Sequence, residues 1–167
     1  MKLRHSILIL LAASALAIGA YFVSVRTPPA PAVTFTSIKG EKLATSELRG
    51  RVLLVNFWAT DCATCLKEMP RLVQTYNKYR PQGLELIAVA MRHDPPNYVL
   101  NYTEKNALPF KVALDPMGEL AKAFANVTLT PTTIVIDKKG NMVTRIIGEL
   151  DFAKLEALIE RKLADPA

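Results

Sequence analysis

The two cysteines of this chain stand three positions apart, in Cys62-Ala63-Thr64-Cys65. A pair so close closes too short a loop to brace a fold, and structural disulfide frameworks normally spread several cysteines along the sequence. The spacing suits thiol–disulfide exchange, in which a thiolate attacks a disulfide sulfur and a second thiol resolves the mixed disulfide. The pair follows an apolar run, Val52 to Phe57 (VLLVNF), and opens a stretch of helical periodicity. A helix N-terminus stabilises an anion through its free amides and dipole. Cysteine pKa values in such settings fall from about 8.5 toward roughly 3.5–7.5. Cys62, at the helix mouth, is therefore the expected nucleophile. Cys65, one turn further in, is the expected resolving thiol.

Three other uses of the pair compete with exchange. A zinc site takes about four ligands, and the histidines here are only His5 and His93. Two cysteines with His93 offer soft ligands for copper, the basis of a copper-binding chaperone as an alternative. A passive structural disulfide is the third.

The elements that must position the cysteines follow from pattern. Val52 to Phe57 reads as a buried strand. From Cys62 to Tyr79, Leu66, Met69, Leu72, Val73 and Tyr76 recur at three- and four-residue steps, so a helix is expected there, kinked at Pro70. Val33 to Ile38 reads as an early strand and Ser46 to Gly50 as a short helical turn. Leu84 to Met91 is a second buried strand, Tyr98 to Asn106 a helix, and Phe110 to Leu114 a short strand. Asp115-Pro116 has the form of a helix cap followed by proline, with Leu120, Ala121 and Phe124 as the apolar face. Thr132 to Ile136 and Met142 to Ile147 form a hairpin about a turn at 138–141, and Asp151 caps a last helix through Leu163. Alternation of this kind predicts an α/β domain with a mainly parallel central sheet flanked by helices.

Ahead of the domain, Ser6 to Val25 carries no charge. At 1.5 Å per residue, about 20 residues span the roughly 30 Å of a bilayer's hydrocarbon core. Residues 1–26 are read as one N-terminal transmembrane helix, with Lys2 and Arg4 in the cytoplasm and the chain after Arg26 outside. A cleaved signal segment is the competing reading, since Ala13-Ser14-Ala15 and Ala15-Leu16-Ala17 have the small residues of cleavage sites. Residues 27–33, rich in proline, read as a stiff extended tether outside the globule, and 34–167 as the domain. The expected location is the cytoplasmic (inner) membrane, single pass, with the domain in the periplasm or outside the cell membrane. After cleavage it would be a soluble periplasmic protein.

With 167 residues, half of them hydrophobic, the chain suits one packed domain plus a short extension. The net charge is +6. Setting aside Lys2, Arg4 and Arg26 leaves 18 basic and 15 acidic residues. No Lys/Arg cluster interleaves with aromatics, which speaks against nucleic acid as a partner.

Asn56-Phe-Trp-Ala-Thr-Asp-Cys-Ala-Thr-Cys-Leu-Lys-Glu-Met-Pro70 resembles the active-site signature of the thioredoxin superfamily, most closely its TlpA/ResA-like branch of membrane-anchored thiol–disulfide oxidoreductases. A second block, Val127-Thr-Leu-Thr-Pro-Thr-Thr-Ile-Val-Ile-Asp137, extends the resemblance over residues 34 to 163. The resemblance implies a thioredoxin-like fold with a central mixed β-sheet and a cis bond between Thr130 and Pro131, facing the redox-active disulfide Cys62–Cys65. It implies that Trp58 packs beside the disulfide, and that Glu68 tunes the thiols or moves a proton. The plain alternatives are a solvated helix residue for Glu68, ordinary core packing for Trp58 and a strand-start proline for Pro131.

The implied activity is reduction of protein disulfides, with apocytochrome c or copper-site cysteines as targets, in cytochrome c biogenesis and cell redox homeostasis. The partners are then a substrate protein with a disulfide or thiols, and a membrane electron donor. No cofactor or metal is required beyond the cysteines. A thiol oxidase on the same scaffold is the alternative direction. A peroxiredoxin expects threonine three residues before its reactive cysteine, where this chain has Ala59.

The match has departures. Asp61 stands where the branch usually has tryptophan, and a carboxylate beside Cys62 opposes thiolate formation unless it points to solvent. Asn56 replaces the buried acid of cytoplasmic thioredoxins. His93 is expected in a surface loop, with approach to the site as the alternative.

Overall fold

A computed structural model describes residues 27–167; the anchor or signal segment read at 1–26 lies outside the described residues. No helix among the described residues is long and apolar enough to cross a membrane.

Among the described residues, seven strands and four α-helices follow one another. They are β1 Thr34–Thr36, β2 Lys42–Ala44, β3 Val52–Trp58, α1 Ala63–Tyr79, β4 Leu84–Ala90, α2 Pro96–Lys105, β5 Lys111–Leu114, α3 Glu119–Ala123, β6 Thr132–Ile136, β7 Met142–Ile147 and α4 Phe152–Ala164. A 3₁₀ turn at Thr45–Leu48 replaces the helical turn expected at Ser46 to Gly50. β1 and β2 form a small antiparallel pair, and the others a five-stranded sheet in the order β5-β4-β3-β6-β7.

The sheet is mixed rather than mainly parallel. β3 pairs parallel with β4, and β4 with β5, but β6 runs antiparallel to both β3 and β7. Strand–helix alternation leaves the pairing direction of β6 open, because its helical connection crosses β3 and β4 to the other side of the sheet.

Every residue of β3 is buried. Because successive side chains point to opposite faces, Val52, Leu54 and Trp58 join the core beneath α1 and α4. Leu53, Val55 and Phe57 join the one containing Phe35 and Phe124. Burial contributes about 1.5–3 kcal/mol for each such large side chain. This alternation also assigns Asn56 to the α1 face, beneath the cysteine helix.

Pro70 lies inside α1, as its place in the helical stretch implies. Two local expectations change. Asp115 is not the cap residue of α3; Gly118 is, in a left-handed conformation, while the Asp115 carboxylate accepts from the amides of Leu120 (3.1 Å) and Ala121 (2.8 Å). It satisfies the same free amides a cap would, from further back.

The proline segment is docked on the domain. The Met142 amide donates to the Pro28 carbonyl, the Ala30 amide to Gly140 (each 2.8 Å), and the Thr45 hydroxyl to Pro31 (2.9 Å).

Candidate active site

Cys62 and Cys65 are joined as a disulfide, with Cα atoms 5.2 Å apart. Cys62 is the N-cap of the 17-residue helix α1, and its sulfur accepts from the Cys65 amide at 3.2 Å. The sulfur thus occupies the place where a capping oxygen usually satisfies a first-turn amide. A thiolate there would gain that hydrogen bond and the positive end of the helix. Cys62 is half-buried and Cys65 is 1% exposed, so the first sulfur is the reachable one.

No acidic residue stands in the first turn of α1. The Asp61 side chain is 74% exposed, and it lies 3.5 Å from Nε2 of His93. The carboxylate beside Cys62 therefore points to solvent, where its opposition to a thiolate is screened. His93 does sit in a surface loop, and from there it also reaches the motif.

The buried stripe of α1 is Cys65, Glu68, Met69, Leu72, Thr75, Tyr76 and Tyr79. Glu68, one turn below Cys65, is 3% exposed, which removes the solvated reading. Its Oε2 accepts from the Leu150 amide at 3.2 Å. Burial pushes its pKa up to about 7, against the opposing effects of that amide and the neighbouring Asn56 amide. Asn56 donates to the Thr133 hydroxyl at 2.9 Å, across the register pair Asn56↔Thr133. Oε1 of Glu68 and Oδ1 of Asn56 are both buried without a hydrogen-bond partner. A proton on Glu68 would supply the donor these two acceptors lack.

Trp58 is fully buried in the same core as Cys65, with the partly buried Cys62 packed against it, and its ring centroid is 5.3 Å from that of Tyr102. The Thr130–Pro131 bond is cis. β3 and β6 pair through Phe57↔Thr132, so Pro131 falls one residue past that pair, beside the end of β3 that leads into Cys62. The Pro131 carbonyl accepts from Gly148 at 2.8 Å. Among the described residues, no group of three or more His, Cys, Asp or Glu side chains is placed to hold a metal ion.

Asp94 was not legible as a site residue. It is buried, and its carboxylate accepts from the Thr60 amide (2.6 Å) and hydroxyl (2.5 Å), holding the loop between β3 and Cys62. The Met91 amide adds a bond to the Trp58 carbonyl at 3.0 Å. Asp94→Ala removes both side-chain bonds. It is expected to cost roughly 2–3 kcal/mol, as loss of hydrogen bonds to a charged group does. Asp94→Asn should recover part of that. Urea melts of the two variants check it; an unchanged midpoint for Asp94→Ala would show that the loop holds itself.

A family model described as Redoxin matches residues 27–159. The chain is 33% identical over 159 residues to the thiol-disulfide oxidoreductase ResA of Geobacillus kaustophilus, covering 92% of this chain and 90% of that one. It is 34% identical over 132 residues to a ResA of Bacillus cereus, covering 79% and 75%. Among solved structures, a putative thioredoxin from Neisseria meningitidis superposes with a TM-score of 0.76 at 34% identity, covering 82% of this chain and 91% of that one. A thiol:disulfide interchange protein from Chlorobium tepidum gives 0.77 at 28% identity, covering 84% and 99%. With a half-exposed sulfur capping a helix beside a cis-proline, on a sheet these relatives share, the chain belongs to the redoxin family as a ResA-like thiol–disulfide oxidoreductase of the thioredoxin superfamily.

Proposed function

We propose that this oxidoreductase works as a protein disulfide reductase outside the cytoplasm. The observation that carries the site assignment is the position of Cys62, whose sulfur caps α1 while Cys65 lies buried one turn below. In the reduced state the Cys62 thiolate attacks a substrate disulfide, and one substrate sulfur leaves as a thiolate that takes up a proton. Cys65, losing its proton, then attacks Cys62. The second substrate sulfur departs, and the enzyme keeps the Cys62–Cys65 disulfide. Two electrons pass to the substrate, and a membrane-bound dithiol donor restores the enzyme by the reverse exchange. No separate cofactor enters.

Glu68 is the acceptor for the Cys65 proton, since it lies one turn away with a pKa near neutrality. Thr130 and Pro131 form the surface along which an extended substrate chain lies. Support for the location is the uncharged run Ser6 to Val25 behind Lys2 and Arg4. The targets implied by the resemblance are apocytochrome c thiols or copper-site cysteines.

Direction is tested by the midpoint potential of the Cys62–Cys65 couple, measured by equilibration with thiol redox buffers. A reductase should lie below about −200 mV, and a value near −120 mV would make the protein an oxidant.

A further inference from the structure

Beside the motif lies a groove of about 570 Å³ that exchange chemistry itself does not require. One wall is the loop after β4, carrying Arg92 and His93; the other is α3 and the loop after it, carrying Lys122, Asn126 and Thr128, with Met117 at the edge. No carboxylate lines it. Arg92 and Lys122 are exposed, and neither is paired with an acid among the described residues. Of the acids nearby, Asp94 is bonded to Thr60 and Asp115 to the amides of α3, while the exposed Asp61 stands at the rim, 3.5 Å from His93. Glu119 stands on α3 outside the lining.

The groove is held in shape. The Arg92 stem lies over Gly118, where an added Cβ would come within 3.4 Å of its Cδ and where φ is +71°. Ala125 and Asn126 both have left-handed φ values, a costly conformation for residues with a Cβ, and Arg145 donates to the Ala125 carbonyl at 2.8 Å. This loop delivers Thr128 and Leu129 directly to the cis Thr130–Pro131 bond. The other wall is bonded to the cysteine loop through Met91–Trp58 and Asp94–Thr60. The groove is therefore continuous with the surface where exchange takes place. Large exposed apolar side chains are few among the described residues, yet Met117 and Leu129 flank the groove, and Ile147 pairs with Thr132 next to Pro131.

We propose that the groove between Arg92 and Lys122 docks an extended acidic segment of the substrate protein while its disulfide meets Cys62. The inference rests on the reductase reading above and names the substrate class that site selects. The apolar rim holds the chain around the cysteine, and the two unpaired cations select Asp and Glu in its flanks.

The test is single-turnover reduction by the prereduced full chain, so no donor is needed. Two peptides of equal length carry one cysteine capped by 2-mercaptoethanol, flanked by Asp and Glu in one and by Lys in the other. Neutral hydroxyethyl disulfide is the reference. The acidic peptide should react at least about tenfold faster at low salt, with the preference shrinking at high salt. In Arg92→Glu/Lys122→Glu the preference should vanish or invert while the reference rate holds; Arg92→Gln/Lys122→Gln should abolish it without inversion. Equal rates for both peptides in the unmodified chain, or a preference that survives in the variants as an effect of overall charge, overturn the groove and leave the reductase standing. Failure to reduce hydroxyethyl disulfide removes the reductase reading, and the groove proposal with it.

Discussion

Replacing Cys62 by serine is expected to bring disulfide reduction down to background, a loss of at least about a thousandfold. Replacing Cys65 should instead leave the first attack intact and trap the enzyme on its partner. The asymmetry follows from geometry. The Cys62 sulfur takes a hydrogen bond from the Cys65 amide and is reachable, whereas Cys65 is sealed in the core with Trp58 and Met69. Only the first sulfur combines access with helix stabilisation of its anion. Reduction of hydroxyethyl disulfide measures the loss, and non-reducing gels show the trapped conjugate for Cys65→Ser. Wild-type turnover by Cys62→Ser would reverse the roles given to the two thiols.

Glu68→Gln carries the second large effect, and it has two parts. The folded pKa of Glu68 is raised from 4.5 to about 7 by burial. Between those values the folded protein binds a proton that the unfolded chain has released. Stability contributed by this group is therefore fully present below pH 4.5, declines as pH rises and is lost once pH passes the folded value near 7. Glutamine keeps an acceptor for Leu150 and supplies donors facing Asn56 Oδ1, without ionising. The variant should thus be more stable than the parent at pH 8, by roughly 2–4 kcal/mol, with the advantage gone at pH 4. Chemical denaturation at the two pH values reads this out.

In exchange, the same variant should resolve mixed disulfides about a hundredfold more slowly, at the lower end of what proton-transfer groups contribute. It should also lose the inflection near pH 7 from its rate profile. A merely structural Glu68 would give the stability change and leave the inflection in place.

The sequence made the reactive pair legible because both parts of the signal are local. VLLVNF is too continuously apolar to be anything but buried, and the helix after it begins at the first cysteine. The face of α1 was harder to place. Reading the stripe through Leu66 and Val73 leaves Glu68 in solvent, yet those two residues are only half-buried, and Cys65, Glu68 and Thr75 turn inward. Polar residues can occupy that stripe because partners wait there: the Leu150 amide for Glu68, and Glu156 for the Thr75 hydroxyl. Those partners come from about eighty positions away, which no local pattern contains.

Asp94 was hidden for the same reason, since its bond to Thr60 spans 34 positions. β2, three residues of Lys-Leu-Ala, is too short to show alternation. Residues 28–31 have the composition of a free linker, and their docking depends on bonds to the β6–β7 hairpin and to the Thr45 hydroxyl, which composition does not encode.

That docking gives the molecule a polarity. The turn that holds Pro28 and Ala30 follows Ile136, which pairs with Leu53 at the start of β3, while Cys62 emerges beyond the strand's other terminus. A seven-residue strand at about 3.3 Å per residue separates the two by roughly 20 Å. Were residue 27 held at a surface, the sulfurs would stand at the end of the sheet away from it. A partner on such a surface would have to reach past the whole sheet, while one arriving from the far side would meet them first.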